Sequence, residues 1–157
     1  MKRIGAGGNW KRIDERFDTK IIKQTSGLSC VSAVGEMLLK SRGIALSQAQ
    51  IIDIIGEPAY FSSLAEALNK FDVPEGKKKW HGIIVTRESL DFLLEAESLA
   101  VILREPFEMG HAVLVSAKTR GGLIKIKDPF DQTTYKMTEE SFLKHWNGEA
   151  VFYGRIV

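Results

Sequence analysis

Apolar residues recur along this chain first at helical spacing and then at strand spacing. Up to Lys23 the chain is mostly polar and charged, and a loose arm is expected there, becoming ordered near Ile21 and Ile22. Val31, Ala33, Val34, Met37 and Leu38 then share one face of a helix from about Ser29 to Lys40, with Gly43 as its stop. Ser47 reads as the N-cap of a second helix, which carries Ile51, Ile52, Ile54 and Ile55 to Gly56. A third helix is expected from Ser62 or Ser63 through Leu64, Ala65, Ala67 and Leu68 to Phe71. The run Lys77 to Lys79 reads as a solvated turn. Thr86 is placed to cap a fourth helix with Leu90, Phe92, Leu93 and Leu94.

The period then changes. Leu99 to Leu103 is a short apolar run, as in a buried strand, and His111 to Val115 is a second. Leu123 to Lys127 alternates at period two, as a half-exposed strand does. A turn at Pro129 to Gln132 leads to a further strand at Thr133 to Met137. Thr138 caps a short helix, Glu139 to Trp146, and Ala150 to Ile156 returns as a strand. Helices first and strands second predict an α+β fold, an N-terminal helical half packed on a C-terminal antiparallel sheet. The division expected is a flexible lead-in at residues 1–19, glycine-rich over Gly5 to Gly8, followed by one domain over 20–157.

Composition narrows the class. The chain has 157 residues, 44% of them hydrophobic and 27% charged, as ordinary globular domains have. A net charge of +2 makes no case for nucleic acid. No apolar run approaches the roughly 18 residues of a membrane helix, and the basic start at Lys2 and Arg3 lacks the apolar core of a signal peptide. One cysteine, Cys30, allows no internal disulfide and suits a reducing cytoplasm. No metal or organic cofactor is expected.

That cysteine stands where the polar stretch Gln24 to Ser29 runs into the first helical pattern. A thiol at a helix N-terminus meets unpaired N–H groups and the positive end of the dipole, which favour the reactive thiolate. A cysteine nucleophile needs a base, and the base needs an orienting group. His111 opens one strand and Asp128 closes the next, so an antiparallel pairing brings both to one end of the sheet. Gln24 precedes Cys30 at a spacing that lets its amide join the Cys30 N–H in binding an oxyanion. His81 is the reserve base; His145, beside Trp146, reads as packing.

Taken together, Gln24 and Cys30, the helix through Met37 to Leu39, Gly110 to Val115, Ile124 to Pro129 and the closing helix and strand resemble the papain-like cysteine peptidases. Within them the chain is similar to the C39 branch, which processes bacteriocins with double-glycine leaders. The resemblance implies Cys30 as nucleophile, His111 as general base and acid, Asp128 as orienter and Gln24 as oxyanion donor. Two positions depart from the pattern. Ser29 stands where the family often has Asp, and Val31 where it often has Gly, which is expected to narrow the cleft. With no transporter segment in the chain, the export role of those relatives is not expected to carry over. Such domains also resemble papain-fold toxin modules of bacterial polymorphic toxins. That likeness implies a protein or peptide substrate, delivery as part of a larger secreted protein, action in a target cytoplasm and a cognate immunity protein over the cleft. The same four residues suit a glutamine-directed transglutaminase or deamidase, because the acyl-thioester step is shared. A catalytically silent papain-like binding module is the third reading.

Overall fold

The computed structural model describes residues 9–96, 98–105 and 110–155. The expectations placed on Gly5 to Gly8 and on Ile156 therefore lie outside the described residues.

Three helices follow a short N-terminal strand: α1 (Cys30–Ser41), α2 (Gln48–Ile55) and α3 (Phe61–Phe71). Ser47 caps α2 with a full capping box: its hydroxyl accepts from the Gln50 N–H while the Gln50 side chain takes the Ser47 N–H. Among the described residues the sheet has seven strands. They are β1 (Ile13–Phe17), β2 (Lys79–Ile84), β3 (Leu99–Leu103), β4 (His111–Lys118), β5 (Leu123–Asp128), β6 (Thr133–Thr138) and β7 (Trp146–Gly154). Their order is β1-β6-β5-β4-β3-β7-β2, and every pairing is antiparallel. Two short helices complete the chain: α4 (Leu90–Leu94), entered by a 3-10 turn, and α5 (Glu139–His145), whose cap Thr138 accepts from the Ser141 N–H.

The centre of the sheet is covered on both faces. Ala100, Ile102, Ala112, Val151 and Tyr153 pack against α1, α2 and α3. Their neighbours Leu99, Val101, Leu103, Val113 and Val115 join Leu90, Leu93, Phe142 and Trp146 on the other face. Strand alternation splits β3 between two cores, so all five of its residues are buried and it reads as an unbroken apolar run.

Both sheet edges come from the part of the chain before residue 85, where no strand was expected. Residues 1–19 read as a flexible lead-in, yet β1 lies within them and pairs with β6, and Trp10 is buried in the second core. The reason is tertiary: β6 offers an open edge, and an indole in a polar stretch finds apolar cover there. At the other edge, β2 begins inside the lysine run and pairs with β7 from Lys79 to Ile84. Only Trp80 in it is fully buried, so the strand carries little periodic signal. Trp80 is fixed from two sides: its indole donates to Asp72, and its backbone exchanges bonds with the Asn69 side chain. β7 also starts earlier than expected: Trp146 opens the strand instead of closing α5.

Gly148, at φ +95°, lies in β7, and a Cβ there would sit 2.0 Å from the Val85 carbonyl oxygen. Its own carbonyl accepts from the Val85 N–H. Gly148→Ala is expected to destabilise the protein by about 2–4 kcal/mol, combining positive-φ strain with a backbone clash. Thermal melting would show it as a drop of several degrees; an unchanged melting temperature would contradict the packing described.

Candidate active site

Cys30 is the first residue of α1, and its side chain is buried. The loop before it is folded by its own polar groups. The Ser29 hydroxyl accepts from the Ser26 N–H, and the Ser26 hydroxyl accepts from the Leu28 N–H. These are local turns made by short polar side chains, which is how the stretch avoids extending the helix backwards. Ser29 therefore serves the loop and makes no side-chain cap on α1. The N–H groups of the first turn of α1 stay clear of intrahelical partners, as helix geometry requires. From the sheet, the Ala112 N–H points at the Cys30 sulfur, 3.5 Å away.

His111 is the first residue of β4, and Asp128 the last of β5; they are 1% and 0% exposed. His111 Nε2 lies 2.6 Å from Asp128 Oδ1. A carboxylate only accepts, so Nε2 carries a proton and donates it, which leaves Nδ1 for the sulfur of Cys30. Burial alone lowers the affinity of the ring for a second proton. The Asp128 charge and hydrogen bond, with a further hydrogen bond to Cys30, outweigh that and push the imidazole up to about 10. Burial likewise works to raise the Asp128 carboxyl, but His111, the Phe130 N–H and the Tyr135 hydroxyl hold it down at about 2. The pair is thus an imidazolium and a carboxylate at neutral pH.

Asp128 is also the turn former that an Asp-Pro pair suggests: Oδ1 accepts the Phe130 N–H at 2.9 Å, across Pro129. The two roles coexist because one oxygen has room for both donors. This turn fixes the loop that carries Gln24, since the Gln24 N–H donates to the Pro129 carbonyl. Gln24 is buried, with Nε2 donating to the Ser26 carbonyl at 2.7 Å. Gln48 supports the same loop by donating to the Lys23 carbonyl and accepting from the Thr25 N–H. A cavity of about 240 Å³ opens at Cys30, walled by Leu28, Val31, Tyr60, Ile102, Arg104 and Gly110. Val31 does line the cleft, as its place beside Cys30 suggests.

Cys30, His111 and Asp128 are thus brought together, with Gln24 on the adjoining loop. His81 is placed elsewhere: its ring bonds the Gly154 carbonyl and stacks on Phe152, which ties β2 to the end of β7. His145 bonds the Ser141 carbonyl within α5. The sequence reading missed Trp10, Arg12 and Tyr135, which back the Asp128 carboxylate. The available signal was a tryptophan in an otherwise polar lead-in.

The profile of the Peptidase C39 family matches residues 18–155. The chain belongs to the Peptidase C39 family. It is a papain-like cysteine peptidase. Among relatives of this C39 chain, "Cysteine protease effector 1" of Escherichia coli O1:K1:H7 is 39% identical over 150 residues, 94% of the chain. The chain spans only 29% of the length of that relative. The peptidase domain of Streptococcus ComA, a bifunctional ABC transporter involved in quorum sensing, has the same fold. It superposes with a TM-score of 0.71 at 19% identity, over 86% of this chain and 97% of the other. The corresponding domain of Streptococcus mutans ComA gives 0.60 at 18% identity, over 86% and 98%.

Proposed function

We propose that this C39 domain is the proteolytic module of a bacterial effector, cutting peptide bonds through a Cys30 thiolate and a His111 imidazolium. The observation that carries the reading is the buried His111–Asp128 pair at 2.6 Å, with the ring's other nitrogen left for Cys30. The Ala112 N–H points at the same sulfur from 3.5 Å. The sulfur attacks the scissile carbonyl. The charge that develops on oxygen is assigned to the N–H groups at the start of α1 and to the Gln24 side-chain amide. His111 gives its Nδ1 proton to the leaving amine, then takes a proton from the water that splits the thioester. Asp128 keeps the ring in the tautomer and plane both steps need.

The likeness to a cysteine protease effector supports the effector role, and the short share of its length supports a domain carried within a larger delivered protein. Work inside a target cytoplasm follows from the same reading, because a single buried thiol stays reduced there. A cognate immunity protein would then cover the cleft at Cys30. Two measurements test the proposal. Proteins from susceptible bacteria are incubated with the domain and read by mass spectrometry: new backbone termini are expected, whereas glutamine deamidation or crosslinks without cuts would overturn it. Expression of the wild-type domain in a bacterial cytoplasm is expected to arrest growth, and unimpeded growth would count against the effector role.

A further inference from the structure

Asp128 has two oxygens and they are held differently. Oδ1 receives His111 and the Phe130 N–H, while Oδ2 receives the Tyr135 hydroxyl at 2.7 Å. Arg12 stands 3.9 Å from Oδ2, too far for a hydrogen bond, and its guanidinium lies over the Tyr135 ring. Tyr135 in turn accepts the Trp10 indole N–H at 2.9 Å. An indole nitrogen can only donate, so the Tyr135 oxygen must accept there, and its single proton is directed to Asp128. Burial and the nearby Asp128 charge push the phenol well up, so that proton stays on. The indole also stacks on the His111 ring, with centroids 6.2 Å apart and planes 21° from parallel. Trp10 therefore stacks beside the histidine ring and reaches its carboxylate through Tyr135. It does so from a segment that precedes the part of the chain matched by the family profile.

We infer that Trp10 is a positioning residue, whose indole N–H acts through the Tyr135 hydroxyl to hold the Asp128 carboxylate toward His111. The chain runs one way, Trp10 to Tyr135 to Asp128, and meets His111 from the other side. A carboxylate held at both oxygens cannot turn away from the ring, so the imidazolium keeps the orientation that serves Cys30. This inference rests on the proposed Cys30–His111 pair. The other charged groups around it are Arg12, engaged with Glu15 and Asp131, and, beyond the indole, His145 facing Glu105.

The test needs no substrate. The rate of Cys30 alkylation by iodoacetamide is followed across the acid and neutral range in the wild-type chain and in Tyr135→Phe, Trp10→Phe, the double variant and His111→Ala. Both single variants keep an aromatic ring in the core, and circular dichroism checks the fold. Tyr135→Phe removes a donor to Asp128, so the carboxylate protonates more readily and releases the ring. Its acid limb is expected to move to higher pH by about one unit, the size of one hydrogen bond to a charged group. Trp10→Phe is expected to move the limb the same way by less. The double variant is expected to move no further than Tyr135→Phe, because the two residues act in series. A structural role alone would lower the melting temperature and leave the profile in place. Superimposed profiles for wild type and both single variants, with His111→Ala still altered, would overturn the relay alone, as would additive shifts in the double variant. An unaltered profile in His111→Ala would overturn the Cys30–His111 reading and the relay with it.

Discussion

Cys30→Ala should abolish peptide hydrolysis and leave the protein folded. The side chain sits at the start of α1 against Ala112, so the substitution removes one sulfur from a packed site. Losing so few buried atoms costs about 1 kcal/mol. Turnover, by contrast, loses its nucleophile, and a fall of at least about 10³-fold is expected, with only oxyanion binding left to act on water. The check is hydrolysis of a polypeptide substrate beside a thermal melt of both proteins. A variant that melts like wild type and still cuts would remove Cys30 from the mechanism. In cells, the same substitution should relieve any growth arrest caused by the wild-type domain.

His111→Ala should be nearly as damaging to turnover and should change how stability depends on pH. The imidazole rises from 6.5 to about 10 on folding, so it stabilises the fold fully below pH 6.5 and stops doing so as pH climbs through about 10. The Asp128 carboxyl falls from 3.8 to about 2, so its contribution is present above pH 3.8 and is lost as pH drops through about 2. The pair therefore supports the fold most between pH 3.8 and 6.5. The stability gap between wild type and His111→Ala should be widest in that window and narrow on both sides, as chemical denaturation at a series of pH values would reveal. The variant also leaves Asp128 buried with its best partner gone, which is the costly way to break a buried pair. A gap that does not vary with pH would mean that His111 and Asp128 are not charged together in the folded protein.

Much of the site was legible because it depends on local order. The chain changes from turn-forming residues to a helical pattern at Cys30, and that change placed the thiol at the first turn of α1. His111 and Asp128 mark the outer ends of two successive strands, so a hairpin-like pairing had to bring them together. Where expectation and structure part, the missing information is long-range. β2 shows only Trp80 as a buried residue, and its pairing depends on the free edge of β7. β1 has no apolar alternation at all: its exposed residues are in a strand because β6 lies beside them.

From the sequence alone came the α+β class, three leading helices, the central strands and the placing of Cys30, His111 and Asp128 at one end of the sheet. Each follows from periodicity, caps and turns, which act over a few residues and are written in neighbouring positions. The closure of the sheet by β1 and β2 was decided only in three dimensions, as were the Ala112 N–H on the sulfur and the bonds from Trp10 through Tyr135 to Asp128. Trp10 and Tyr135 are 125 positions apart, and no local preference marks one as the partner of the other. Their contact exists because β1, which follows Trp10, pairs with β6, which carries Tyr135, and because a buried donor and acceptor must find each other once water is gone.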